Sequence, residues 1–149
     1  MAKSWSEKFT HPPQVVVKKL DTPYAGQEPG VRMLIPTPAV VAAYVESIPE
    51  GESRSMPQLR DDLAVAHKAD FTCPLTAGIF LRIAAERAWE MHEAGKPLKA
   101  ITPFWRAVDL KSPMTKKLAC GLDFLTKQRK REKLGGAGET AVKPRPRPR

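Results

Sequence analysis

Three observations predict a mainly α fold with a small β element, a winged helix-turn-helix domain followed by a disordered basic tail. Two amphipathic helical segments stand about five residues apart, the second opening with small polar groups. A stretch with β-like alternation follows that second helix and stands where a wing would. From Gly135 the composition turns Gly-rich and then alternates Pro with Arg, "GGAGETAVKPRPRPR", which blocks helix and favours an extended chain.

The elements follow in order. Residues 1–30 read as a loosely packed N-terminal arm, with a short helix around Trp5–Phe9 and a β-branched run at Val15 to Val17 between turn-rich stretches. "VRMLIP" (31–36) predicts a short strand. Thr37 then serves as an N-cap with Pro38 at the first helical position, and Val40, Val41, Tyr44, Val45 and Ile48 recur at helical spacing until "IPEG" stops the helix. In the next helix Ser55 and Gln58 fit a capping box, and Leu59, Leu63 and Ala66 mark its apolar face. A longer helix over 73–94 is capped by Thr72 or Cys73, with Pro74 in its first turn and Gly95 beyond its end. Leu75, Ile79, Ile83 and Ala84 face inward on its period. "LKAITPFWRAVDL" (98–110) reads as the β element, 111–118 as a polar loop, and "LDFLTKQRKREKL" as a basic helix with Leu122, Leu125 and Gln128 inward. The domain is therefore expected over 31–134 and the Pro/Arg tail over 135–149.

At 149 residues and 42% apolar content the chain can bury one core. It has no membrane-length apolar run and no signal-peptide pattern, so a cytoplasmic monomer is expected. Cys73 and Cys120 have neither disulfide-framework nor zinc-site spacing and read as small half-buried hydrophobes. No cofactor is expected. Charge is the informative feature. Residues 1–110 carry 13 basic and 13 acidic side chains, whereas 111–149 carry 12 and 3, which accounts for the whole net charge of +9. Such asymmetry points to a polyanion, nucleic acid above all, with a solubilising tail as the plainer explanation.

The order of motifs from about Ile35 to Leu134 resembles the DNA-binding domain of methylated-DNA–protein-cysteine methyltransferases, and more closely their small alkyltransferase-like relatives. "IPEGESRSMPQLRDDLA" is similar to that family's entry into its helix-turn-helix, "TCPLTAGIF" to the start of a recognition helix, and "TPFWRAV" falls where the methyltransferases carry a Pro-Cys-His-Arg-Val motif. The resemblance implies DNA repair chemistry in which an alkylated guanine is flipped from the duplex and dealkylated by the motif cysteine. Here Pro103 and Arg106 match, but Phe104 stands at the cysteine position and Trp105 at the histidine position. Neither side chain is a nucleophile or a proton shuttle, so no enzyme activity is expected. Pro103, Phe104 and Trp105 then either line a base pocket by stacking or fill and close it. Ser55-Met56-Pro57 replaces the family's Thr-Tyr-Gly, and Thr76 and Ala77 occupy the region of its base-replacing Arg. Cys73 stands near a helix N-terminus, where a thiol pKa falls, but no His stands beside it at the motif spacing.

Duplex DNA is thus the expected partner. Thr76, Ala77 and Gly78 let the 73–94 helix approach a groove closely, and Ser55, Thr72 and Arg82 reach phosphates or base edges. Lys111, Lys116, Lys117, Lys127, Arg129 and Lys130 supply phosphate contacts, and Arg106 belongs to the same set. Three other classes stay open: an enzyme in which Cys73 or another residue performs the transfer, a sequence-specific or architectural regulator, and a protein-interaction module whose Pro-Arg tail binds a partner.

Overall fold

The computed structural model describes residues 4–134, so the tail expected over 135–149 lies outside the described residues. The fold is mainly helical with a small three-stranded sheet. Helix α1 (Trp5–Phe9) begins at Ser4, which forms a reciprocal capping box with Glu7. Strands β1 (Val16–Lys19) and β2 (Arg32–Ile35) pair antiparallel, Val17 opposite Leu34. Thr37 and Pro38 start α2 (Pro38–Glu46) as the sequence predicts, the Thr37 hydroxyl accepting from the Val40 amide at 3.0 Å. Ser55 caps α3 (Met56–Ala66) by accepting from Gln58, while the Gln58 side chain turns to Asp62 rather than back to the cap. After α3 the chain returns as β3 (Phe71–Thr72), parallel to β2 and opposite Met33 and Leu34. The 20-residue α4 (Pro74–Glu93) follows at once from the Cys73 N-cap.

Helix α4 is the spine, with α1 and α2 packed along it. The core gathers Leu34, Val41, Val45, Leu59, Leu81 and Leu125 around Phe104 and Trp105. A smaller cluster of Leu20, Met33 and Cys73 seals the sheet against the α4 N-terminus. Burying these side chains contributes about 1.5–3 kcal/mol each, which outweighs local propensity in the irregular segments described next.

Several expectations need correction. The β element over 98–110 is not a strand. It forms two 3₁₀ turns, Leu98–Ala100 and Phe104–Arg106, separated by a buried run from Ile101 to Pro103. Pro103 has no amide hydrogen for a ladder, and residues 101 to 105 are all buried, so the segment threads the core instead of edging a sheet. No wing follows α4 among the described residues; the strands precede it. The polar loop at 111–118 contains a helical turn, α5 (Pro113–Lys116). The last helix, α6 (Leu122–Arg131), buries Leu125 and Gln128 as expected but exposes Leu122. In α3 the buried small residue is Ala64, and Ala66 is exposed. The arm is tied to the body at two places, α1 against α4 and β1 against β2.

Candidate nucleic-acid interface

The expected recognition helix starts at Cys73. Its first two turns present Leu75 and Ile79 outward, 63% and 47% exposed, where the sequence period had put them inside. Ala77 is fully buried and so belongs to the core rather than to a groove-facing surface. Thr76 is half-buried and donates to the Cys73 carbonyl at 3.5 Å. Nothing lies within 4 Å of where a Cβ on Gly78 would stand, so this glycine borders open space. Ser55 is exposed at the head of α3, its hydroxyl 3.2 Å from the Gln58 amide.

Three other expected contacts turn inward. Thr72 is buried and donates to the Arg60 carbonyl at 2.7 Å, tying β3 to α3. Arg106 is held by Glu132, with Nε 2.8 Å from Oε1 and Nη2 3.0 Å from Oε2, while Nη1 donates to the Ile48 carbonyl at 2.8 Å. Arg129 is buried and donates from Nη1 to the Trp105 carbonyl at 2.8 Å. A guanidinium satisfies several carbonyls at once, which suits it to gathering loop ends inside a small domain. These three residues therefore serve the fold. Arg82 lies between the two cases: partly exposed, it reaches Glu86 at 3.4 Å and the Lys117 carbonyl at 3.5 Å, beneath the Trp5 ring. Lys111, Lys116, Lys117, Lys127 and Lys130 are exposed.

Of the base-pocket candidates, Phe104 and Trp105 are 1% and 2% exposed and pack edge-to-face with ring centres 5.4 Å apart. They fill the core. Pro103 and Trp105 also touch a polar cleft of about 530 Å³ bordered by Glu46, Glu50, Lys99 and Arg131.

The residue sequence reasoning missed is Glu132. Its side chain is fully buried and accepts from the Trp105 indole at 2.7 Å, from Arg106 twice and from the Gly51 amide at 3.3 Å. Burial pushes this carboxyl up, but donation from Arg106, Trp105 and Gly51 outweighs burial and holds it below the ordinary carboxylate value. Arg129 is lowered by burial, against the pull of Asp109 and Glu132. The spacing Leu125, Gln128, Arg129, Glu132 is an inward helical stripe, and that period was the available signal.

A second cleft, of about 400 Å³, opens between the head of α3 and the turn after Trp105. Arg54 and Arg129 both contribute to its wall. The two cysteines differ. Burial and the nearby Glu86 carboxylate push Cys120 up to about 12, so it stays protonated. Burial raises the Cys73 thiol, but hydrogen bonds from Thr76, Tyr24 and Leu75 outweigh burial and leave it below its ordinary value. The Tyr24 hydroxyl stands 3.6 Å from its sulfur.

No family model, curated protein or solved structure matches the chain. Among the described residues no helix is long and apolar enough to cross a membrane.

Proposed function

We propose that this chain is a non-catalytic duplex-DNA-binding protein of the alkyltransferase-like kind. In this reading α3 and α4 act as the helix-turn-helix pair, the first two turns of α4 meet a groove, and lysines beyond residue 110 hold phosphates. One observation carries it: the first 110 residues are charge-balanced, the whole excess lies beyond them, and the lysines at 111, 116, 117, 127 and 130 in that part are exposed. Burial of Phe104 and Trp105 supports the non-catalytic part, because the motif position then offers neither a nucleophile nor a proton shuttle to a substrate.

A second reading, an architectural binder of DNA shape, draws support from Leu75 and Ile79. An exposed apolar pair on adjacent turns has no donor for base edges and suits the wedge contacts of minor-groove proteins. Binding of full-length protein to an unmodified duplex and to one carrying a single O6-methylguanine, each at two salt concentrations, separates the readings. Salt-dependent binding that is tighter on the alkylated duplex supports the first, and equal affinity supports the second. Absence of salt-dependent binding to either refutes both and favours a protein-interaction module. The intact mass should be unchanged after incubation; a stoichiometric gain of about 14 Da, one methyl group, refutes the non-catalytic assignment.

A further inference from the structure

The cleft between α3 and the 107–112 turn contains an unusual group. Arg54 is 95% buried, yet it lies in a segment that is otherwise polar loop. Its Nη2 meets Glu52 at 2.8 Å and its Nη1 donates to the Ser53 carbonyl at 3.0 Å, while its Nε is buried with no acceptor. Buried guanidinium N–H groups without a partner are rare, since leaving one unmade forfeits the exchange of water for protein that made burial tolerable. Arg54 borders the cleft together with Ser55, Ser112 and a second buried guanidinium, Arg129. The 11-residue α3 begins there as well, so its N-terminal dipole adds partial positive charge at the same place.

We propose that this cleft is an oxyanion site that takes a phosphate group, with Arg54 as its principal donor. Side chains must carry the recognition, because Pro57 removes one of the amides a helix N-terminus ordinarily offers. Charge sets the kind of anion. The wall holds two guanidinium groups and one carboxylate, Asp109, whose Oδ1 already accepts from the Lys111 amide at 2.9 Å. Glu52 lies outside the wall but pairs with Arg54, so two guanidinium groups stand against two carboxylates. With no surplus positive charge, the site suits a phosphodiester or a singly ionised phosphate better than a dianion. The volume leaves room for a group larger than phosphate alone, and Met56, Ala107 and Val108 give it an apolar side. The phosphate has two sources, a nucleic-acid backbone or a free phosphoester, and the site itself goes beyond the DNA reading rather than requiring it.

The test follows the Arg54 Nε–H resonance of full-length protein by NMR during titration with inorganic phosphate and with dimethyl phosphate. A saturable shift at that resonance, with the lysine resonances unmoved, is expected. Arg54→Met should abolish it. Since Arg54 is buried and that variant can misfold, Ser112→Asp provides the second arm. Ser112 caps α5 without a side-chain hydrogen bond, and Asp is a good N-cap, so the fold is retained while a negative charge enters the cleft wall. Affinity for dimethyl phosphate should fall at least about tenfold. If a backbone phosphate is the natural occupant, a short duplex displaces dimethyl phosphate and Ser112→Asp weakens duplex binding. If a free phosphoester is, Ser112→Asp leaves duplex binding alone while a nucleoside 5′-monophosphate competes. A protein that binds no duplex but shows the saturable Arg54 shift retains the site and loses only the DNA reading. No shift at Arg54, or an unchanged titration in Ser112→Asp, overturns the proposal.

Discussion

Glu132→Ala should be among the most damaging single substitutions in this domain. The carboxylate is fully buried and joins three segments: the Trp105 indole and Arg106 guanidinium from the 3₁₀ turn, the Gly51 amide from the loop after α2, and α6 itself. Removing it leaves a guanidinium 14% exposed without its counter-charge and an indole N–H without an acceptor. Breaking a buried pair by deleting one partner costs about 3–5 kcal/mol. For a domain of this size that lowers Tm by roughly 10 °C, at about 2–4 °C per kcal/mol. Glu132→Gln keeps the volume and one acceptor, so its cost should be about 1.5–3 kcal/mol, the worth of hydrogen bonds to a charged group.

The assay is urea unfolding followed by Trp fluorescence, with calorimetry for Tm. The pH dependence gives an independent check. The folded Glu132 carboxyl lies below its ordinary value, so its stabilisation is complete above the unfolded carboxylate pKa, near 4.3, and is lost as pH falls through the lower folded value. Wild type should therefore lose stability in acid more steeply than Glu132→Gln. A Glu132→Ala protein within about 1 kcal/mol of wild type, or parallel acid profiles for wild type and Glu132→Gln, would refute the assignment of this carboxylate as the clasp.

Three further outcomes are expected. Gly78→Ala should raise Tm by about 2–4 °C, because the site is open and Ala is better by about 1 kcal/mol inside a helix; a fall shows a backbone packing role at Gly78. Thr76→Glu should abolish duplex binding while Tm holds or rises, since a carboxylate at the third helical position of α4 favours the dipole; a drop of several degrees identifies a packing face instead. Removing residues 135–149, which carry four basic and one acidic side chain, should weaken duplex binding and flatten its log–log salt slope by up to about 3–4; an unchanged slope assigns the tail to another partner.

The longer helices were legible because their ends carry local chemistry: Thr37 before Pro38, Ser55 before Met56, Pro74 at the start of α4 and Gly95 after it. The segment 98–110 was not legible. Its apolar residues mimic alternation, but that period measures only which residues avoid water, and a run buried on every side around Pro103 satisfies it without any strand. The same limit hid Glu132 and misassigned Arg106 and Arg129. A charge is normally solvated, and only long-range packing shows that the one acid in "KQRKREKL" balances an arginine 26 residues earlier.

Helix α4 carries the most consequential misreading, and its correction bears on function. Counting the period from Leu75 puts Leu75 and Ile79 inside, yet the buried stripe begins two residues later, at Ala77, Leu81, Ala84 and Ala88, each at most 2% exposed. Three of those four are alanines. Small side chains there leave room for the core that α2 joins through Val41 and Val45, whereas α1 meets α4 on another face, at Arg82, Arg87 and Glu90. Turning the helix by those two residues to bury Leu75 and Ile79 would force larger side chains into that room, at about 1–3 kcal/mol for overpacking. The alanine stripe therefore fixes the rotation of α4, and that rotation holds Leu75 and Ile79 in solvent beside Gly78. Leu75 and Ile79 remain about half exposed, which forgoes roughly 1–1.5 kcal/mol each, so a partner that covers them recovers free energy the isolated domain does not have. In the DNA reading that partner is a groove wall, and Ile79→Ser should then weaken duplex binding while leaving Tm unchanged. If Ile79→Ser binds DNA like wild type, the exposed pair serves a different surface.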